Sequence, residues 1–375
     1  MDFSKLDAFL DEIAGTLVPS TDCVVFMDHK MIHRHISGYI NNEEKIAPTG
    51  DELYYMFSSS KPVTCAAALI LLERGCFSLN DPVSNYMPEF GEMKVLMPDG
   101  SLRAPASPIK IRHLFTMTSG LDYDLSSKPL FDAIEESGGR CPTRDMVRAI
   151  AKRPLLFDPG TKWMYGLSHD ILAALVEVIS GVRFADFVQA NIFDRVGMPN
   201  SHFHLTEDEM SKLPPMYIYD NSAECFKPTR LVNDYVFGED YDAGGAGIIS
   251  TVEDMAKFSD MLACGGVTAD DVRILRPETV RMMHTNCLTP ELLPSFNWTQ
   301  YIGYGYGLGV RTLITQEYGA RSPIGEFGWA GAAGSYTLCD CENRLSLFCA
   351  RHMLNNKEPE ISPYLRDFLY EALSL

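Results

Sequence analysis

The chain has 375 residues, 46% hydrophobic and 22% charged, which is the balance of a soluble globular protein long enough to bury a core without disulfides or metals. These proportions exclude a disordered chain, a collagen-like repeat and a coiled coil. Fifty Asp and Glu against 32 Lys and Arg give a net charge of −18, a field that repels phosphate backbones and anionic membrane surfaces, so neither nucleic acid nor a membrane is expected as a partner.

Residues 4–17 set Leu6, Phe9, Leu10, Ile13 and Leu17 at helical spacing, with Ser4 as the expected cap. Cys23–Met27 and Met31–Ile36 then read as strands joined at Asp28-His29-Lys30. His33 and His35 share one face of the second strand, but no third ligand stands nearby, so they are taken as strand residues rather than a metal site. Residues 62–74, PVTCAAALILLER, are apolar almost all the way round and are followed by Gly75. A helix without a polar face is buried inside a domain.

Residues 76–240 are rich in Pro, Gly and short polar breaks. They hold helices at 168–180 and 184–193 and few strong strands. After Gly244 the pattern changes. Ser250-x-x-Glu253 predicts a capping box opening a helix over 251–264. Strands at 334–340 and 344–352 predict a hairpin around Glu342-Asn343, and Ser362-Pro363 is the expected start of a terminal helix. The order is helix and strands, a mostly helical insert, then strands and a helix. It predicts an α/β fold of the α+β type, a central antiparallel sheet flanked by helices. Residues 1–75 and 241–375 are expected to form one discontinuous sheet domain and 76–240 a mostly helical domain, with the active site between them.

Ten cysteines are scattered without a C-x-x-C pair, and the start MDFSKLDAFLDEIAG lacks a basic region followed by an apolar one. No run of about 18 apolar residues occurs. Free thiols in a reducing cytoplasm is the simplest expectation.

There is no G-x-S-x-G, Walker loop, G-x-G-x-x-G or H-E-x-x-H. His202 and His204 form an isolated H-x-H that reads as surface or strand histidines. What remains is S-x-x-K. A serine hydroxyl needs a base, and a desolvated lysine can supply one because burial lowers an ammonium pKa. At i and i+3 on a helix the two share a face. Chance supplies about one such match in a chain of this composition, and two occur, Ser58-x-x-Lys61 and Ser107-x-x-Lys110. Ser107 precedes Pro108 in a stretch that reads as extended, where the side chains would not stack. Ser58 instead stands at the mouth of the buried helix, where the macrodipole favours a developing oxyanion. On this context alone Ser58 is either a nucleophile or a helix cap.

The segment Phe57-Ser58-Ser59-Ser60-Lys61-Pro62-Val63-Thr64 resembles the active-site segment of the serine β-lactamase-like hydrolases, the class C β-lactamase and esterase group. The resemblance continues at 79–84 (LNDPVS), 114–121 (LFTMTSGL), 244–251 (GGAGIIST) and 327–334 (FGWAGAAG). It implies Ser58 as nucleophile. The family's Y-x-N matches literally at Tyr39 and Tyr219, both poorly placed. The better position is Tyr165-Gly166-Leu167, which implies Tyr165 in the tyrosine role and Leu167 where the family has Asn. An adjacent Lys⁺ would favour the Tyr165 phenolate, so Tyr165 and Lys61 would share the base role. No K-T-G exists. Trp329-Ala330-Gly331 stands in its place, as in the esterase-like branch, and the resemblance implies an oxyanion hole from the amides of Ser58 and Ala332, with Gly331 letting substrate approach the backbone.

In the lactamase branch, the lysine of K-T-G meets a substrate carboxylate and the asparagine of Y-x-N an amide. Here those positions are Trp329 and Leu167. A buried carboxylate without a charge partner is disfavoured, so neutral, partly apolar acyl substrates are expected. The function predicted is a serine hydrolase acting through an acyl-enzyme on carboxylic esters or related small acyl compounds, with water or another acceptor ending the cycle and with no metal or organic cofactor. A β-lactamase or D-amino-acid peptidase is the alternative enzyme. A non-catalytic binding protein of the same fold is the alternative of another class.

Overall fold

Ser20–Met27 is buried along almost its whole length, and its alternating side chains go to two different cores. Val24 and Phe26 face the larger core, and Cys23 and Val25 the smaller. This is the period of two in a strand covered on both faces. In the computed structural model, which describes all residues Met1–Leu375, this strand lies inside a seven-stranded sheet. From one edge, the order is Lys30–Gly38, Ser20–Met27, Leu345–Ala350, Tyr336–Asp340, Phe327–Gly328, Arg311–Leu313 and Tyr304–Tyr306. Every neighbouring pair is antiparallel. The two ends of the chain therefore share one sheet, and the antiparallel α+β architecture is the one expected.

Helices close both faces. Ser4–Ile13 and Glu358–Leu373 supply Leu6, Leu10, Ile13, Leu365 and Leu369 to the smaller core. Val252–Ala263 lays Met255, Phe258, Met261 and Leu262 on the other face. The same large core runs on into the middle of the chain. There Lys61–Glu73 packs along Ser168–Ser180, and runs of alanine (66–68 and 173–174) let the two approach closely. No helix is long and apolar enough to cross a membrane.

Several details differ from the sequence reading. Thr251, not Ser250, caps the Val252–Ala263 helix by accepting from the Asp254 amide. Ser250 is held in a two-stranded ladder opposite Tyr54, so it is not free to cap. The last helix begins at Glu358, with Pro363 inside it. Residues 216–220 and 225–229, within the segment read as mostly helical, form strands, and the first pairs with Met353–Leu354. Ser4 does not cap its helix; its amide donates to Asp2 Oδ1. His33 and His35 face the first helix, where Asp7 lies 2.6 Å from His33 Nε2 and Asp11 lies 2.8 Å from His35 Nε2. They tie the edge strand to that helix.

Candidate active site

The route to Ser58 begins with a backbone turn. Tyr54–Tyr55 pairs with Ile249–Ser250, and the chain then reverses through Phe57, whose φ of +46° lies in the left-handed region. For a bulky residue this conformation is strained by about 1–3 kcal/mol. Phe57 is held there by burial and by edge contacts with Tyr55 and Tyr235. Residues Phe57–Ser60 form a 3₁₀ turn that runs straight into the Lys61–Glu73 helix. In a 3₁₀ turn positions i and i+3 eclipse, so Ser58 and Lys61 stack one above the other. Lys61 Nζ lies 3.1 Å from Ser58 Oγ.

Lys61 is fully buried. Its ammonium also donates to the Gly245 carbonyl at 2.7 Å and to the Tyr123 hydroxyl at 2.8 Å. Burial brings its pKa down from 10.5 to about 7, against an opposing pull from the carboxylate of Asp170. Asp170 is itself buried, accepting from the Tyr241 hydroxyl at 2.7 Å and the Gly245 amide at 3.3 Å, and burial raises its pKa. The Gly245 peptide thus links the two charges, its carbonyl to Lys61 and its N–H to Asp170. A side chain at 245 would collide with Asp170 Oδ2 at 2.7 Å, so the close fit needs glycine.

Tyr165 is beside this pair. Its ring lies 4.7 Å from Lys61 Nζ, and its hydroxyl accepts from Trp329 Nε1 at 3.1 Å and lies near enough to Ser58 to feel its hydroxyl. Those two neighbours favour the phenolate, but burial outweighs them and pushes the pKa up. Ser58, Lys61 and Tyr165 are therefore brought together as expected. The shared-base expectation changes, because the same burial that makes the amine neutral keeps the phenol protonated. A neutral amine with its lone pair on Ser58 Oγ and a neutral phenol on the same oxygen can deprotonate the serine and return a proton to a leaving group.

The remaining positions divide. The amides of Ser58 and Ala332 donate to no group within the chain, which leaves both available to an oxyanion. Gly331 does not open the backbone to substrate. A Cβ there would sit 2.2 Å from the Met56 carbonyl oxygen and 2.3 Å from Ser335 Oγ. The glycine instead lets the 331–335 loop press against the strand that leads to Ser58. Ser335 Oγ fixes the contact by donating to the Met56 carbonyl at 2.9 Å and pairing with Ser59 Oγ at 2.8 Å. Asn356 holds the loop from behind through the carbonyls of Gly331 and Ala332. Trp329 is 1% exposed and acts on Tyr165 rather than on solvent-facing space. Leu167, also 1% exposed, packs into the large core.

Sequence reading missed Tyr123, Tyr235 and Trp298. The Tyr123 ring lies tilted 5.1 Å from Tyr165 and edge-on 5.3 Å from Tyr235, and Trp298 lies edge-on 5.1 Å from Tyr165. Tyr123 follows directly on the Thr118-Ser119-Gly120-Leu121 motif, which is the one signal that could have found it. Tyr165 and Trp298, with Trp163 and Met164, line an adjoining cavity of about 580 Å³.

A hydroxyl, a neutral-leaning buried amine and a phenol at one oxygen, with two free amides nearby, define an enzyme of the serine-hydrolase type. The chain belongs to the beta-lactamase family, whose model matches residues 10–371. Among its relatives, Protein Rv1367c of Mycobacterium tuberculosis is 29% identical over 332 residues, covering 84% of this chain and 81% of the relative. Esterase EstB of Burkholderia gladioli is 28% identical over 279 residues, 68% of each chain. Among solved structures, EstCE1, described as a hydrolase with promiscuous acyltransferase activity, superimposes with a TM-score of 0.80 at 24% identity, covering 98% of both chains.

Proposed function

We propose that Ser58 is the nucleophile of a carboxylic-ester hydrolase, with Lys61 as its base, Tyr165 as the acid for the leaving group, and the Ser58 and Ala332 amides as the oxyanion hole. The observation that carries this is the 3.1 Å contact between Ser58 Oγ and an amine brought to about 7 by burial. In the first stage Lys61 takes the serine proton as Oγ attacks the acyl carbonyl. The negative charge passes to the carbonyl oxygen, facing the two amides. As the tetrahedral adduct collapses, Tyr165 donates its proton to the departing alkoxide and is reprotonated from Lys61 through solvent. In the second stage water, or an acceptor alcohol, repeats the sequence in reverse and frees Ser58.

A partly apolar acyl or alcohol portion is supported by the chain of rings Tyr235, Tyr123, Tyr165 and Trp298 next to Lys61, beyond which Tyr165 and Trp298 open onto a cavity of about 580 Å³ of mixed lining that includes Lys162 and Glu291. The likeness to an esterase points the same way. The ten free cysteines suit a reducing compartment, and we place the protein in the cytoplasm.

The test is turnover of p-nitrophenyl esters of increasing chain length by wild type and Ser58→Ala, with nitrocefin in parallel. Ester turnover lost in the variant is expected, together with nitrocefin turnover at least tenfold slower in the wild type. Equal ester activity in both proteins overturns Ser58 as nucleophile. Faster nitrocefin than ester turnover overturns the substrate class.

A further inference from the structure

Away from the cleft, three different metal-ligating side chains meet where the first hairpin touches the Val252–Ala263 helix. Asp260 and Cys264 are one turn apart at the end of that helix, and His29 sits at the tip of the turn joining Ser20–Met27 to Lys30–Gly38. One donor atom from each lies within 4.8 Å of the other two. His29 Nδ1 is 2.7 Å from Asp260 Oδ2, and Cys264 Sγ is 3.6 Å from Asp260 Oδ1. Asp28 and His29 are both in the left-handed region, with φ of 49° and 66°. That is the backbone of a tight hairpin turn, and it aims the imidazole at the helix.

Asp260 is 4% exposed. Three other buried carboxylates hold a guanidinium: Asp22 has Arg34 at 2.8 Å, Asp242 has Arg183 at 2.7 Å, and Glu326 has Arg311 at 3.0 Å, whereas Asp170 and Asp340 hold only neutral donors. Asp260 has only the imidazole and amide of His29 and the Cys264 thiol within bonding reach. Arg344 is engaged by Asp28 at 2.6 Å. Arg344 therefore acts on Asp260 only through space, without a direct bond.

We propose that His29, Asp260 and Cys264 bind one zinc ion, which fastens the tip of the first hairpin to the Val252–Ala263 helix. A tetrahedral zinc with bonds of about 2.0–2.3 Å separates its ligand atoms by about 3.3–3.7 Å. The spacing from Cys264 Sγ to Asp260 Oδ1 already has this value; His29 Nδ1 faces the other oxygen, Oδ2, at 2.7 Å, and the carboxylate turns and the pair opens to admit the ion. The donor set selects zinc over magnesium or calcium, because a thiolate is a soft ligand and those ions take oxygen. On binding, the Cys264 S–H bond breaks, its proton leaves to water, and a Zn–S bond forms. One carboxylate and one thiolate then balance the dication. A cavity of about 460 Å³ bordered by His29, Asp260, Glu253, Asp270 and Lys257, the lysine already paired with Glu253, gives a hydrated cation a path, and water takes the fourth position.

The full chain, stripped with a chelator and dialysed, is titrated with zinc against a chromophoric zinc indicator, and cobalt is added separately. One saturable equivalent of sub-micromolar affinity, a thiolate-to-cobalt charge-transfer band and a raised Tm are expected, with ester turnover unchanged. Cys264→Ala abolishes the cobalt band, and His29→Gln weakens zinc at least about tenfold. His29 is partly exposed, so its variant tests the site even if the cysteine variant misfolds. Absence of saturable zinc binding overturns the proposal. So does stoichiometric binding unaffected by His29→Gln, since that zinc would be held by other thiols.

Discussion

The position of Lys61 has a measurable consequence in the pH dependence of acylation. An amine at about 7 is half neutral at pH 7, whereas a solvated lysine near 10.5 is neutral about once in three thousand. The kcat/KM for p-nitrophenyl butyrate is expected to rise with pH as a single proton leaves, with a midpoint near 7 and a plateau above about pH 8. Lys61→Met removes the base and lowers the plateau by about 10²–10⁴. His169, packed behind Lys61, cannot supply this limb, because burial takes its pKa down to about 3. The same burial sets a stability signature of opposite sense. The folded pKa lies below the unfolded one, so the native state binds fewer protons between about pH 7 and 10.5, and stability rises with pH across that window. The penalty is complete below pH 7, where the shift corresponds to at most about 5 kcal/mol. Lys61→Met therefore unfolds at higher urea concentration than wild type at pH 6, and the difference shrinks towards pH 10. A limb near 7 that persists in the residual activity of Lys61→Met, or a flat wild-type profile from pH 5 to 9, refutes the assignment of Lys61 as base.

The two phenols should separate by kinetics. Tyr165→Phe removes the hydroxyl at Ser58 and is expected to lower kcat by about 10²–10⁴. Tyr123→Phe removes an acceptor of the Lys61 ammonium, so it should cost about tenfold and move the acid limb to lower pH. Gly331→Ala, whose Cβ would strike the Met56 carbonyl, is expected to lower kcat at least about tenfold with KM less affected, while far-ultraviolet circular dichroism stays native. Arg311→Met leaves Glu326 buried without its partner, and denaturant unfolding should register a loss of about 3–5 kcal/mol.

What the chain discloses about itself depends on the range of the interaction involved. The Ser168–Ser180 helix was legible to the residue, since Leu172, Leu175 and Val176 recur at helical spacing and Gly181 stops it in the left-handed conformation. Ser58 and Lys61 were legible because the spacing that unites them is local. Tyr165 came from the resemblance. So did Trp329, but not the bond between them, because Trp329 reaches Tyr165 across 164 residues of chain, and nothing in a linear pattern reports such a contact. Gly331 shows the opposite limit: its position is legible, but its close fit against the Met56 carbonyl is not, because Met56 is remote in the chain. Thr251 and Ser250 divide the capping position for a tertiary reason, the pairing of Ser250 with Tyr54.

The surroundings of Lys61 show how several segments of the chain combine to set its chemistry. A lysine lowered to about 7 must be dry, yet an amine with no hydrogen-bond partners would be too costly to bury. The solution is a peptide carbonyl and a phenol, which satisfy its donors while offering little negative charge to retain the proton. Asp170 supplies charge from one peptide further away, through Gly245, so its pull is weaker than that of a direct ion pair. A carboxylate in direct contact would hold the ammonium charged and remove the base. Each piece comes from a different segment: the Lys61 helix, Tyr123 from the loop after residues 118–121, Asp170 from the next long helix, and Gly245 from the chain returning to the sheet. Burial from all four sides makes the amine poor at keeping a proton, and the distant pull of Asp170 leaves it basic enough to take one near neutral pH.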